Sequence, residues 1–558
     1  MENEAPTAEQ LIPDQIEKRK ESLYNFFTGW ITTSYDKLFI IILLIAFIIR
    51  ILVYTKTQDQ ALWWDAADYM AAAKRWGLGL DTIDIWYYRR GMLWPLIGAF
   101  FFKIGLGELS IRFFIVLLST GIVFATYQLI SIMFDKRLAL LTSIPIAISW
   151  VFIFFTGRPL TNLPATFFFL VALIYFWKGY VLDQGKRYFL LFGLFYALAC
   201  LVRMQYVMFA VSFLAMAIVK EKHKFIFNKW LWASILIFAI IFIPQFTMQN
   251  TYFGNPIKDL ATYYLGVGGS ETGEVGVALA KTSDLFIYFT NIPYVLDANT
   301  AGYTSLAVVS LFYILFLIGF FLFFIDLFLG FDKIFTNKLI QKKFFILFWM
   351  ITTFIFLGYI APHLEQRYIM PLIPFLFMIA VYPIYLVIPK IREKFKIKDI
   401  YLMIAICAIL IFLLMPNYNF GFNLIESKTL SYNEIKLAGA WIKANSEPSD
   451  IIIGGSLPQL SYYSERTVYP LHLGYRREIE RSDEQGLNQF VLENRPKYYS
   501  ISTLERDPQW TFEYPGKYLE VLTPVQFYGP QEQPILIIYQ FNYSPEAVAK
   551  LESNLASE

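Results

Sequence analysis

The chain has 558 residues, of which 57% are hydrophobic, 19% aromatic and only 16% charged, with a formal net charge of +3. Soluble domains carry about a quarter charged residues, so a protein folded wholly in water is excluded, and the apolar residues are bunched in runs long enough to cross a bilayer. Nucleic acid is excluded as a partner because the cations cluster in short loops rather than on one face, and Cys200 and Cys407 both lie in apolar runs, which leaves neither a disulfide framework nor a zinc ribbon.

The leader 1–37 is polar and too long and acidic for a cleaved signal peptide, so the first apolar run, 38–54, is expected to stay as an anchor. Further runs follow at 109–134, 138–156, 161–177, 188–219, 229–248, 304–330, 344–361, 367–389 and 399–416. Lys and Arg cluster in Asp135-Lys136-Arg137, in Lys178 with Lys186-Arg187, in Lys220-Glu221-Lys222-His223-Lys224, and in the loops 333–343 and 390–398. The positive-inside rule places these five loops in the cytoplasm. Both ends of 188–219 are then inside, so this run must cross and return with its apex near Arg203-Met204-Gln205. Each arm has about 15 residues, roughly 23 Å of helix against a hydrocarbon core of ~30 Å, which sets Arg203 just below the outer surface. The expected fold is an α-helical polytopic membrane protein of about eleven spans in the plasma membrane. Its N-terminus is cytoplasmic, and an extracytoplasmic α/β domain occupies 417–558.

Three segments fall outside: a loop at 55–108, a loop at 249–303 and the C-terminal tail. In the tail, helix-like stretches at 432–445 and 483–493 alternate with strand-like ones at 450–454, 498–502 and 534–541. The tail shows no catalytic constellation. His472 beside Arg476-Arg477 reads as a surface feature, Asn542-Tyr543-Ser544 fits a glycosylation acceptor, and Gly266-Val-Gly-Gly-Ser270 reads as a flexible loop.

Arginines on the outer side carry the most information: Arg89, Arg90, Arg158, Arg203 and Arg367. Cations at membrane depth face polar cavities and pair with anions; a guanidinium fork matches phosphate oxygens, and the natural phosphate at a lipid boundary is a headgroup. The plainer reading is that each one snorkels or meets an ordinary carboxylate. In the first loop, Ala61-Leu-Trp-Trp-Asp65-Ala-Ala-Asp68-Tyr69 reads as a helix start, with Asp65 as N-cap and Asp68 facing the helix dipole. The functional alternative makes a carboxylate here the general base towards an acceptor hydroxyl. Trp63, Trp64, Trp86, Tyr87, Tyr88 and Trp94 crowd the same loop, most of them as interfacial belt residues and one or two as sugar-stacking rings.

Taken in order, Asp65-x-x-x-Tyr69, Arg90-Gly-Met-Leu93-Trp94-Pro95, Arg158 with Asn162, and Glu365-Gln-Arg367-Tyr368-Ile-Met-Pro371 resemble the GT-C glycosyltransferases, above all the protein O-mannosyltransferases and the aminoarabinose lipid A transferases. The resemblance spans roughly 35–420. It implies transfer of a sugar from a polyprenyl-phosphate donor to a glycan, lipid or protein acceptor hydroxyl at the outer face. Asp65 matches the family's catalytic aspartate, Arg90 the basic residue that approaches the donor phosphate, and Arg367-Tyr368 the pair that opens a late span. Arg89, Arg158 and Arg203 join these as expected phosphate contacts, and Asp68, Trp64, Glu365 and His363 as contacts to acceptor or sugar. Asp65-Ala66 stands where the family often has Asp-Glu, Arg90-Gly91-Met92-Leu93 where it has Lys-Pro-Pro-Leu, and Asn162 where an acid is common; these departures bear on sugar and acceptor more than on the reaction. Trp63-Trp64-Asp65 also echoes a motif of the oligosaccharyltransferases, but theirs lies in a soluble C-terminal domain, so that match is read as coincidence.

A single displacement needs one base and a charge clamp, so inversion is expected and no cofactor is required. Asp81 and Asp84 could offer a divalent metal two carboxylates, but they read as a solvated pair, and His223, His363 and His472 are too scattered for a His-based site. The rival from another class is a transporter or lipid flippase, against which stand a single broken span and the lack of two similar halves.

Overall fold

A computed structural model describes residues 30–80, 90–255, 286–298, 311–360, 364–471, 483–505 and 507–555. Arg89, His363, Asp81, Asp84, Trp86, Tyr87, Tyr88, the glycine-rich stretch 266–270, His472, Arg476 and Arg477 lie outside them. Among the described residues, nine helices are long and apolar enough to cross a membrane and a bent pair makes up to ten, while the first arm of the expected crossing at 188–219 is the shorter apolar helix Arg187–Val202. The protein is a multi-span membrane protein.

Helix α1 (Ser34–Thr57) starts at a capping box, in which the Thr33 hydroxyl accepts from the Asp36 amide and the Asp36 carboxylate accepts from the Thr33 amide. Its 24 residues span about 36 Å, enough to cross with some tilt. It delivers the chain to α2 (Trp64–Leu78) and α3 (Leu93–Lys103), which pack together at one end of the bundle. Helix α4 (Gly107–Met133) then runs back beside α1.

The next span is broken. Helices α5 (Lys136–Ile148) and α6 (Trp150–Thr156) meet at Ser149 with a 50° bend, one turn after Pro145. A break inside lipid leaves amides and carbonyls without partners. Here Asn417 Oδ1 accepts from the Trp150 amide at 2.8 Å, and Arg50 of α1 donates to the Ile146 and Ala147 carbonyls at 3.2 and 3.0 Å. Arg50 is fully buried and also donates to Ala46 O and Ser119 Oγ. The sequence predicts only one broken span; the helical content of 138–156 hides this second break, since proline inside a membrane helix is tolerated when neighbours satisfy the freed groups.

Helix α7 (Asn162–Phe176) packs against α8 (Arg187–Val202), which ends as predicted at Arg203, whose backbone is extended before a 3₁₀ segment and α9 (Ala210–Glu221). Helices α10 (Lys229–Phe253), α11 (Leu311–Leu329), α12 (Lys338–Ile360), α13 (Ile373–Phe395), α14 (Asp399–Leu413) and α15 (Met415–Lys428) complete the bundle. The last apolar run continues past the expected end at 416 as far as Lys428, because Pro416 sits in the first turn of α15, where its missing amide costs nothing.

After α16 (Asn433–Asn445) come β1 (Ile451–Gly454), α17 (Leu457–Ser464), β2 (Thr467–Tyr469), α18 (Glu484–Asn494), β3 (Tyr498–Ser502), α19 (Gln509–Lys517), β4 (Leu522–Tyr528), β5 (Leu536–Phe541) and α20 (Pro545–Leu555). The strands order as β2-β1-β3-β5-β4, the first three parallel and the last two antiparallel to their neighbours. Alternation along β1 sends Ile452 to a core with Ile435, Ala438, Leu457 and Leu460, and Ile453 to a core with Leu487, Val491, Tyr514 and Leu551. This domain is docked, not tethered. The Tyr463 hydroxyl accepts from the Leu62 amide at 2.8 Å, the Tyr462 hydroxyl donates to Glu108 at 2.7 Å, and Lys74 of α2 pairs with Glu465 at 2.6 Å.

Candidate active site

The start of α2 carries the centre of the site. Its N-cap is Trp63, which makes no side-chain capping bond, so Asp65 is not the N-cap that the sequence suggests. Instead its carboxylate takes two arginines from distant parts of the chain. Arg367 donates to Asp65 Oδ2 at 2.8 Å, and Arg90 approaches Oδ1 at 3.4 Å. Arg90 also pairs with Asp68, one helical turn further on, and Arg367 pairs with Glu365. The two arginine side chains are 9% and 12% exposed, whereas Asp65 keeps 43% of its side-chain surface accessible. An open carboxylate between two enclosed cations can exchange one of its partners for a ligand.

Burial would raise the Asp65 carboxyl, but the Arg367 charge and then the Arg90 charge overcome it and hold the group well below the usual carboxylate range. Burial likewise disfavours the Arg367 cation, yet Asp65 and Glu365 outweigh it and hold the guanidinium above its ordinary value. Both groups stay charged. Arg203 adds to the positive field on Asp65, stacks over Tyr368 at 4.9 Å and donates to Thr161 Oγ1 at 3.4 Å. Arg367 approaches the Tyr368 ring too, at 5.5 Å. Arg158 lies 3.2 Å over the Trp63 ring and 4.0 Å over Phe154; burial, then Arg367 and Arg112, press its cation well below the ordinary value. Trp64 is half-buried in the first turn of α2, next to Asp65. The structure therefore brings Asp65, Asp68, Arg90, Arg203, Glu365, Arg367 and Tyr368 together, with Arg158 and Trp64 at the margin. Trp94 corrects an expectation: it is fully buried, its indole donating to Pro159 O at 3.0 Å, because α3 packs into the bundle instead of lying at an interface.

Several residues that hold this geometry were not anticipated. Gln245 of α10 is fully buried and clamps the backbone around Arg90, accepting from the Met92 amide at 2.7 Å and donating to the Arg90 carbonyl at 3.0 Å. Gly91 permits this path, since any Cβ there would overlap the Leu201 carbonyl. Asn162 donates to the Arg367 carbonyl at 3.1 Å, which ties the start of α7 to the backbone of the clamp. Arg112, inside an apolar run, donates to Thr57 O and Gly157 O at 2.9 Å and to Gln60 O at 2.6 Å, joining the exits of α1 and α6 that lead to Trp63 and Arg158. A polar amide one turn from a second one, Gln245 with Gln249, inside an apolar run was the available signal. Among the described residues no group of three or more His, Cys, Asp or Glu side chains is arranged to hold a metal.

Fold and site together define the class. The bundle with its appended mixed domain has the GT-C fold, and residues 89–247, less than half of the chain, match the family model of dolichyl-phosphate-mannose-protein mannosyltransferases. Among solved structures, ArnT from Cupriavidus metallidurans in the apo state aligns over 94% of this chain and 99% of its own, at 12% identity and a TM-score of 0.61. The same protein bound to undecaprenyl phosphate aligns over 92% and 98%, again at 12% identity and 0.61. The Archaeoglobus fulgidus oligosaccharyltransferase in its apo form aligns over 93% of this chain and 75% of its own, at 13% identity and 0.55. The search of curated proteins gives no match.

Proposed function

We propose that the protein transfers a sugar from a polyprenyl-phosphate donor to an acceptor hydroxyl, with inversion at the anomeric carbon. The observation that carries the reading is the pairing of one accessible aspartate, Asp65, with two enclosed arginines, Arg90 and Arg367, at one end of a GT-C bundle. The cationic loops in sequence lie at the opposite ends of the spans, which supports a site at the extracytoplasmic face of the plasma membrane. The bound undecaprenyl phosphate of ArnT supports a lipid-phosphate donor.

In the resting protein Asp65 is a weak base, because its arginines stabilise the anion. A donor phosphate alters that balance. Its oxygens compete for the Arg90 and Arg367 forks, with Arg203 in support, and the carboxylate that loses these cations gains proton affinity as the acceptor arrives. The acceptor oxygen then attacks the anomeric carbon while its proton passes to Asp65. The carbon–oxygen bond to the phosphate breaks with its electron pair, and polyprenyl phosphate departs with its charge spread over the arginines. Because the leaving group needs no proton, one carboxylate suffices, and attack opposite the phosphate inverts the centre. Guanidinium forks supply the neutralisation, so the step requires no metal. Asp65→Asn in the reconstituted protein should abolish transfer from a labelled polyprenyl-phosphate sugar; near-normal turnover would overturn the assignment, and movement of the donor across the bilayer without transfer would favour a flippase.

A further inference from the structure

We infer that the C-terminal domain is part of the scaffold of the reaction centre: Tyr463, with Tyr462 and Lys436, is a positioning residue for the linker 58–63 and so sets where Asp65 stands. That role rests on the glycosyl-transfer reading, with Asp65 as the base, and extends it to the domain that follows the bundle. The linker joins α1 to α2, and Thr57, Gln60, Ala61 and Leu62 along it are buried. Buried backbone outside helices and strands needs partners from elsewhere.

Those partners come from two sides. Arg112 of α4 donates to Thr57 O at 2.9 Å and to Gln60 O at 2.6 Å. From the C-terminal side, Lys436 of α16 donates to Asp59 O at 2.6 Å, the Lys428 carbonyl accepts from Gln60 Nε2 at 2.6 Å, and the Tyr463 hydroxyl of α17 accepts from the Leu62 amide at 2.8 Å. The Arg112 bonds lead back to the same domain, since Glu108 pairs with Arg112 at 2.6 Å and its other oxygen accepts from Tyr462 at 2.7 Å. Tyr462 is buried in the core of the bundle itself, with Leu62, Met70, Ala73 and Phe102. Tyr463 is held in turn: a Cβ on Gly439 would come within 2.5 Å of Tyr463 Cβ, so α16 meets α17 there as closely as a glycine permits.

The linker decides the geometry because the partners of Asp65 are fixed independently of it. Arg90 is clamped through Gln245 of α10, and Arg367 through Asn162 of α7. Trp63, the N-cap of α2, follows Leu62 directly, and Asp65 lies in the first turn. A shift of Leu62 therefore moves Asp65 against two arginines that do not move with it, and against the reacting oxygen. Misplacing a reacting group by about 1 Å costs about a hundredfold in rate. The Tyr463 hydroxyl thus acts through backbone and not on substrate.

The test uses the full chain reconstituted in lipid vesicles, with labelled polyprenyl-phosphate mannose as donor and octyl mannoside as the hydroxyl probe. Tyr463→Phe keeps the ring and removes the acceptor oxygen. Its kcat should fall about tenfold while the donor KM stays within about twofold of the parent, because positioning acts on the chemical step. Tyr462→Phe combined with Tyr463→Phe should lower kcat by about a hundredfold. Tyr543→Phe is the control: its hydroxyl donates to Pro496 O at 2.6 Å within the domain, so a bond of the same kind is lost away from the linker and kcat should hold. Hydrogen exchange of the linker peptide should quicken in Tyr463→Phe while β1 and β3 keep the parent's protection. Unchanged kcat, an equal loss in Tyr543→Phe, a change confined to KM, unchanged linker exchange, or exchange quickened across the whole domain would each overturn the inference. Asp65→Asn tells the two readings apart: transfer surviving there removes the base, whereas an inactive Asp65→Asn beside full turnover in Tyr463→Phe removes the positioning role alone.

Discussion

Two buried-end aspartates, one at each end of the bundle, differ in how completely they are satisfied. Asp36, in the first turn of α1, has no accessible side-chain surface. Its Oδ2 accepts from the Thr32 and Thr33 amides at 2.9 and 2.7 Å, from Thr33 Oγ1 at 2.7 Å and from Lys136 at 2.7 Å, while Oδ1 accepts from Tyr127 at 2.7 Å. Asp65 at the other end has two arginines and an open side. A carboxylate with every acceptor site filled can only hold a structure together. One that is charged, partly bare and flanked by two enclosed arginines can take part in chemistry. The bundle thus has one fully coordinated aspartate and one left partly open, distinguished by coordination and not by sequence context.

Exchanging each carboxylate for its neutral counterpart should separate the roles. Asp65→Asn should lower turnover by about a thousandfold, measured with labelled donor, while thermal unfolding shifts little because the side stays open. Arg367→Ala should lower turnover by about a hundredfold and weaken polyprenyl-phosphate binding. It should also move the acid limb of the kcat/KM profile upward. The sign follows from Asp65 itself: its carboxyl is depressed, so the anion persists at and above the ordinary value of about 3.9 and is lost only as pH falls through the lower folded value. Removing Arg367 leaves burial less opposed, so activity must then fail at a higher pH than in the parent. Asp36→Ala should reverse the pattern, destabilising by about 3 kcal/mol in a denaturation series while activity per folded molecule is kept. Gln245→Leu should cost about tenfold in donor kcat/KM through a displaced Arg90, with Asn or Glu at 245 recovering part of it. Chelation with EDTA should change nothing, and loss of transfer restored by a divalent cation would break the all-guanidinium account.

Much of this was legible from residue type and order. Arg90, Arg367 and Asp65 announce themselves because charges are expensive near lipid, and the strand-like runs at 450–454, 498–502 and 534–541 fall on β1, β3 and β5. What stayed hidden depends on partners far away in the chain. Arg50 and Arg112 sit in runs whose hydropathy swamps one cation, and their acceptors are helix-end carbonyls that no side-chain pattern marks. Asn162 looked like a substituted acid, whereas its use is to hold the Arg367 backbone. The strands β2 and β4 were missed for another reason: one is three residues long, and the other carries Pro524 at an irregular register, which weakens the alternation that reveals a strand.

The elbow at Ser149 has a mechanical consequence. With Arg50 stitched to the carbonyls on one side of it and Asn417 to the amide on the other, straightening this span would strand a guanidinium and several peptide groups in hydrocarbon at once. The third crossing is therefore a fixed strut, and any opening of the bundle must be borne by other helices moving around it.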